Sequence, residues 1–106
     1  MFVDSHCHLN YLKSAEGALE RARKSGVNGV LCIGVDESGI DQVLALAQAH
    51  DDVWASVGMH PQSVEQGFGW IEDKIAAPSV VAVGETGLDY KIAIDPQTQR
   101  LQQQAF

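Results

Sequence analysis

VLCIGVDESGIDQVLALAQAHDDVWASVGM, residues 30–59, is the stretch whose reading decides the fold. Val30 to Val35 and Val53 to Met59 are short runs of apolar and small residues, nearly continuous, as parallel strands covered on both faces are. Between them Ile40, Val43, Leu44 and Ala47 recur at i, i+3, i+4 and i+7, which predicts a helix with one buried stripe. Ser38 and Asp41 give that helix a capping-box-like start. Two apolar strands joined by an amphipathic crossover form the repeating unit of a parallel sheet.

Outward from this segment the same pattern repeats. Met1 to Asp4 and Val80 to Gly84 are the other strand candidates. A first helix begins near Ser14, carries Ala15, Ala18, Leu19 and Ala22 on one stripe, and ends at Gly26. A third is expected between about Ser63 and Ile75, with Gly67 and Gly69 lowering its propensity. Asp95 followed by Pro96 signals the start of a fourth, which still reads as helix from Arg100 to Phe106 without a capping glycine. Four β/α units in 106 residues are half of a (β/α)8 barrel, which typically needs about 250 residues. The expectation is an α/β fold, the N-terminal half of a TIM barrel of the metal-dependent hydrolase type. Residues 1–106 would form a single incomplete domain, truncated within the fourth helix.

Composition excludes several classes. A hydrophobic content of 45% is ordinary for a globular protein. No apolar stretch approaches the roughly 20 residues of a membrane span, and the first residues lack the pattern of a signal peptide, so a cytoplasmic protein without a membrane partner is expected. Cys7 and Cys32 are too few for a disulfide framework and lie in apolar runs, which predicts reduced, structural thiols. Seven basic against fourteen acidic residues give a net charge of -7, which disfavours broad phosphate neutralisation. A nucleic-acid substrate would need a local attractor, such as bound divalent cations.

DSHCHL, residues 4–9, places His6 and His8 at i, i+2 at the end of the first strand, so both imidazoles face one side. Two such imidazoles make half of a first-row metal site, although H-x-H also occurs as a plain polar strand end. GETGLDY, residues 84–90, puts Glu85 at the carboxyl end of the fourth strand, the end at which barrel enzymes build their sites. His6, His8 and Glu85 together would give three metal ligands with open positions, while Glu85 alone also reads as an anchor for loop N–H groups. His60, in GMHP at residues 58–61, either contacts substrate or hydrogen-bonds within its loop. Asp4 shares the side of His6 and His8 by its spacing and would support a ligand imidazole or serve as a buried structural carboxylate. Asp89 and Lys91, in and just past the GETGLDY loop, are the remaining candidates for lining the substrate, with a surface lysine the commoner outcome for Lys91. No residue of this half is assigned as the catalytic acid or base.

Other residues have plainer readings. His50 suits the end of the second helix, and Arg21, Arg23 and Lys24 suit the end of the first, where cations meet the negative pole of the helix dipole. Trp54 and Trp70 read as core. Gly84 and Gly87 lack the lysine and spacing of a P-loop.

DSHCHL, GMHP and GETGLDY, in this order, resemble the N-terminal signatures of the TatD family of metal-dependent deoxyribonucleases, and Gln99 to Phe106 is similar to that family's next helix. The resemblance spans the whole chain. It implies a two-metal barrel hydrolase in which His6 and His8 bind one ion and Glu85 is shared by both, the ions being Mg, Mn or Zn. It also implies phosphodiester hydrolysis with DNA as substrate. The two further histidines and the aspartate that later strands supply in the family have no counterpart here, which leaves the second ion at most Glu85. Two other functions remain open: a barrel amidohydrolase acting on an ester or lactam, against which the GETGLDY loop speaks, and a non-catalytic chain that binds a metal or a partner. A half-barrel would expose two sheet edges, which predicts self-association.

Overall fold

The apolar runs become four parallel strands in a computed structural model that describes residues 1–106. They are β1 (Phe2–Cys7), β2 (Val27–Ile33), β3 (Val53–Val57) and β4 (Val80–Val83), hydrogen-bonded in the order β1-β2-β3-β4. Between and after them lie α1 (Ala15–Lys24), α2 (Glu37–Ala49), α3 (Ile71–Lys74) and α4 (Pro96–Ala105), with 3₁₀ turns at Leu9–Tyr11 and Pro61–Gln66. Consecutive parallel strands that are also neighbours, joined by helical crossovers, have the connectivity of a β/α barrel.

The helix limits follow from local chemistry. Ser14 Oγ accepts the Gly17 N–H at 3.1 Å and starts α1, and Gly26, at φ 87°, turns the chain into β2 in a conformation that glycine alone adopts cheaply. Asp95 Oδ1 accepts the Thr98 N–H at 2.8 Å ahead of Pro96 and starts α4. The start of α2 differs from expectation. Its cap is Asp36, whose Oδ1 accepts the Gly39 N–H at 2.9 Å and the Ser38 hydroxyl at 2.8 Å. A carboxylate there also meets the positive pole of the helix, which Ser38 would not. The predicted third helix is broken in two, because Gly67 at φ 87° ends the Pro61–Gln66 turn before α3 forms.

Ile40, Val43, Leu44 and Ala47 of α2 are buried together with Val30, Cys32, Val53, Ala55 and Val57 of the sheet. Each large apolar side chain removed from water in this layer contributes about 1.5–3 kcal/mol. Leu31, Ile33, Ser56 and Ala82 line a trough on the opposite face of the sheet. Trp54, expected in the core, is 39% exposed because it alternates out of the α2-facing set of β3, whereas Trp70 is buried. Cys7 and Cys32 are register neighbours and unbonded, and hydrogen bonding to Cys32 together with burial pushes the Cys7 thiol well above its ordinary range. His50 bonds Glu16 at 3.0 Å and Arg23 pairs with Asp52 at 2.6 Å, which ties α1 to the end of α2 and the turn before β3, while Lys24 pairs with Glu20 within α1 at 2.7 Å.

Both outer strands are open. Phe2 and Val3 on β1, and Val81 and Val83 on β4, are all at least 60% exposed. The radius of gyration, 14.7 Å, exceeds the roughly 13 Å of a closed domain of about 100 residues, as an open sheet requires.

Candidate metal centre

The pairing of β1 with β2 decides which side chains reach the carboxyl end of the sheet. Asp4 pairs with Val30 and Cys7 with Cys32, so three steps on β1 match two on β2. Such a bulge turns one residue out of alternation. Val30 and Cys32 both belong to the core face, and Asp4 and Cys7 line a hollow on that face with Leu19. His6 and His8 thereby project to the other side, where His6 borders the trough of Leu31, Ile33 and Ser56. This corrects the expectation for Asp4, which plain alternation put beside the imidazoles. Its Oδ1 instead accepts the backbone N–H of His6 at 3.1 Å and supports the main chain of the bulge.

His8 Nδ1 lies 3.3 Å from the Ile33 carbonyl oxygen. A carbonyl can only accept, so Nδ1 carries the hydrogen and Nε2 keeps a free lone pair. The ring stacks on Tyr11 with centroids 5.5 Å apart and meets His6 edge-on at 5.2 Å.

Glu85 arrives at the same place through its backbone. Gly84 N–H donates to Val57 O and Glu85 N–H to Gly34 O, each at 2.9 Å, and Ser56 Oγ donates to Gly84 O at 2.7 Å. The end of β4 is therefore pressed against the turn that follows β3. A Cβ on Gly58 would stand 2.6 Å from Gly84 Cα and 2.7 Å from Glu85 O, so only glycine permits this approach.

Glu85 Oε2 lies 3.5 Å from His6 Nε2 and 4.0 Å from His8 Nε2, and one ligand atom from each of His6, His8 and Glu85 falls within 4.8 Å of the others. An ion with bonds of about 2.1 Å in tetrahedral array separates its ligands by roughly 3.4 Å, so the donor set fits a first-row divalent cation after small adjustment. Borderline nitrogen donors with one carboxylate suit such an ion better than a calcium site built of oxygen alone.

His60 Nε2 is 3.5 Å from Glu85 Oε1, but its ring is turned to a different use. Its Nδ1 accepts the Gln62 N–H at 3.1 Å, which leaves the hydrogen on Nε2. A nitrogen bearing hydrogen donates and does not ligate. His6, His8, Tyr11, Asp36, His60 and Glu85 border one hollow of about 370 Å³. Burial, and then the charges of Asp36 and Glu85, push the Tyr11 phenol above its ordinary pKa.

Asp89 holds a loop. Its Oδ2 accepts Gln62 Nε2 at 2.9 Å and its Oδ1 the Ile92 N–H at 3.3 Å, and the hydrogen bond from Gln62 is the main reason its carboxyl is held below the usual range. Lys91 is exposed and has no side-chain partner. Sequence reasoning missed Tyr11, Asp36 and Gln102. Asp36 carried a readable signal as the polar residue directly ahead of a periodic apolar run.

A family model described as TatD related DNase matches residues 3–106. The chain is similar to the uncharacterized metal-dependent hydrolase YabD of Bacillus subtilis (strain 168), 34% identical over 97 residues that cover 85% of this chain and 38% of that protein. It is also similar to the 3'-5' ssDNA/RNA exonuclease TatD of Edwardsiella piscicida, 41% identical over 75 residues, covering 66% of this chain and 29% of the relative. The crystal structure of YjjV, a TatD homologue from Escherichia coli K12, superposes with a TM-score of 0.81 at 32% identity, over 98% of this chain and 43% of that one. The chain thus spans less than half the length of each of these relatives.

Proposed function

The chain belongs to the TatD related DNase family, and from that premise we propose that residues 1–106 form the first half of a barrel whose mouth holds divalent cations for phosphodiester hydrolysis. The observation that supports this most is the convergence of His6, His8 and Glu85, from opposite edges of the sheet, within 4.8 Å. When bound, divalent cations acidify coordinated water and neutralise charge on a phosphoryl oxygen.

The side chains divide the work. His6 and His8 offer nitrogen lone pairs, the latter oriented by the Ile33 carbonyl. Glu85 turns Oε2 toward these imidazoles and Oε1 toward the His60 N–H; a second ion, two being the number proposed for the intact site, would share Oε1 with that donor. His60 presents an N–H to the space where a phosphate would lie, and Lys91 is free to meet a neighbouring phosphate. The proton acceptor would come from strands beyond β4. With a net charge of -7, attraction of a polyanion is left to the cations and to these few donors.

The substrate we propose is nucleic acid, and the relative named as a ssDNA/RNA exonuclease favours single strands with a free 3' end. A cytoplasmic location is proposed with it; no helix is long and apolar enough to cross a membrane. A chain extended to full barrel length should shorten 3'-labelled single-stranded DNA and RNA with Mg2+ or Mn2+ and stop when the metal is chelated. Turnover of esters or lactams with both nucleic acids left intact would refute the assignment.

Residues 1–106 alone are proposed to associate through the exposed edges of β1 and β4. Sedimentation should show concentration-dependent species heavier than 11.4 kDa. A monomer at every concentration would contradict this.

A further inference from the structure

Gln102 is 1% exposed, although it lies on a helix that contributes no ligand. Its amide is fully used. Nε2 donates to Pro61 O at 3.0 Å and to Asp89 O at 3.4 Å, and Oε1 accepts the Asp89 N–H at 2.8 Å. One side chain of α4 therefore clamps the loop after β3 to the loop after β4. A second tie runs alongside, since Gln62 Nε2 donates to Asp89 Oδ2 at 2.9 Å. The residue so held, Gln62, gives its backbone N–H to His60 Nδ1.

The effect on His60 is chemical as well as positional. A neutral imidazole has one donor and one acceptor nitrogen, and the partner of one fixes the role of the other. With Nδ1 held as acceptor, Nε2 bears the hydrogen and points toward Glu85 Oε1. His8 is held in the opposite sense, with its hydrogen on Nδ1 and Nε2 bare. Two histidines on one hollow are thus set by their neighbours to different tasks.

We propose that Gln102 is the positioning residue that, through Pro61, Asp89 and Gln62, locks His60 as an Nε2–H donor on the hollow it shares with Glu85, where a phosphate oxygen of the substrate would compete with Glu85 Oε1 for that hydrogen. The clause about phosphate rests on the function proposed above; the locking does not. The clamp is built from buried amide bonds, so losing one donor leaves an unmatched carbonyl and frees the loop.

Long-range proton–nitrogen NMR spectra of the 15N-labelled chain, at mildly alkaline pH, read both tautomers directly. The wild type should show His60 with hydrogen on Nε2 and His8 with hydrogen on Nδ1. Gln102→Glu keeps the acceptor for Asp89 but removes the donor to Pro61, and it should give His60 a mixture of tautomers while His8 is unchanged. Inorganic phosphate added with Mg2+ should shift the His60 Nε2–H signal in the wild type, with about tenfold weaker binding in the variant. Should Gln102→Glu fail to fold, as loss of the His8 signature would reveal, Gln62→Ala removes the second tie and should also loosen His60. Hydrogen on Nδ1 of His60 in the wild type, or a folded Gln102→Glu variant with His60 unchanged, would overturn the proposal. Correct tautomers with no response to phosphate would refute the phosphate clause and uphold the clamp. Failure of the metal-centre reading would appear separately, as absence of any Mg2+ or Mn2+ effect on His6 and His8.

Discussion

Gly58→Ala should lower the affinity of residues 1–106 for Mn2+ by at least about tenfold, and in a chain of full barrel length it should cost roughly 100-fold in turnover, the usual consequence of misplacing a reacting group by about 1 Å. The added methyl would sit 2.5 Å from Gly84 C and 2.6 Å from Gly84 Cα, and these atoms are backbone, which cannot swing aside as a side chain can. Either the end of β4 or the turn after β3 must retreat. Glu85 moves with the first, because its N–H bond to Gly34 O and the Ser56 bond to Gly84 O share that segment. His60 moves with the second, since it follows Gly58 by two residues. Retreat of β4 opens the 3.5 Å gap between Glu85 and His6 and so weakens Mn2+ binding, whereas retreat of the turn opens the gap to His60, a donor, and would be felt in turnover. The strain should also reduce stability by about 1–3 kcal/mol, as overpacking commonly does. Calorimetric titration with Mn2+, beside a urea melt that shows the variant still folded, makes the comparison. Wild-type affinity in a folded Gly58→Ala protein would mean that the close approach does not set the position of Glu85.

Why the strands and the convergence of His6, His8 and Glu85 were legible, while the bulge and the clamp were not, follows from the range of the interactions. The stripe of Ile40, Val43, Leu44 and Ala47 is a local periodic signal, and its burial against Val53, Ala55 and Val57 follows from solvent exclusion alone. His6, His8 and Glu85 meet because parallel strands deliver their carboxyl ends to one edge, a property of topology that strand order suffices to infer. Asp4 was misplaced because the bulge exists only in the pairing of β1 with β2, where Phe2 and Val3 already take up one irregularity against Val27 and Gly29. Alternation within β1 cannot reveal a slip against its neighbour. The start of α2 shifted to Asp36 because Asp36 and Ser38 are both good capping residues, and the choice rests on where the chain leaves β2. Gln102 was invisible for another reason. It is one of several glutamines in α4, and only the loops it reaches, as far away as Pro61, distinguish it from its neighbours.

The largest effect is expected from removing both first-strand imidazoles. His6→Ala/His8→Ala leaves Glu85 as the one remaining member of the three-residue cluster, and a lone carboxylate with water is a poor competitor for a first-row ion. His60 cannot replace them while Gln62 occupies its Nδ1 and its Nε2 carries hydrogen. Affinity for Mn2+ or Zn2+ should therefore fall by about 100- to 10,000-fold, since each lost ligand typically costs at least as much as the 10–100-fold of a lost supporting contact. Stability gives a readout that needs no activity. A cation at 100 times its dissociation constant should stabilise the wild type by about 2.7 kcal/mol, and the double variant hardly at all. Without metal the double variant should be less stable by about 1 kcal/mol, because the His8 ring gives up its bond to the Ile33 carbonyl and its stacking on Tyr11, whereas His6, 54% exposed, adds little. His50→Ala is the control, because that histidine bonds Glu16 away from the hollow. Equal metal-induced stabilisation in the wild type and in His6→Ala/His8→Ala would remove these imidazoles from the site, and with them the ground for placing a cation at the mouth of the sheet.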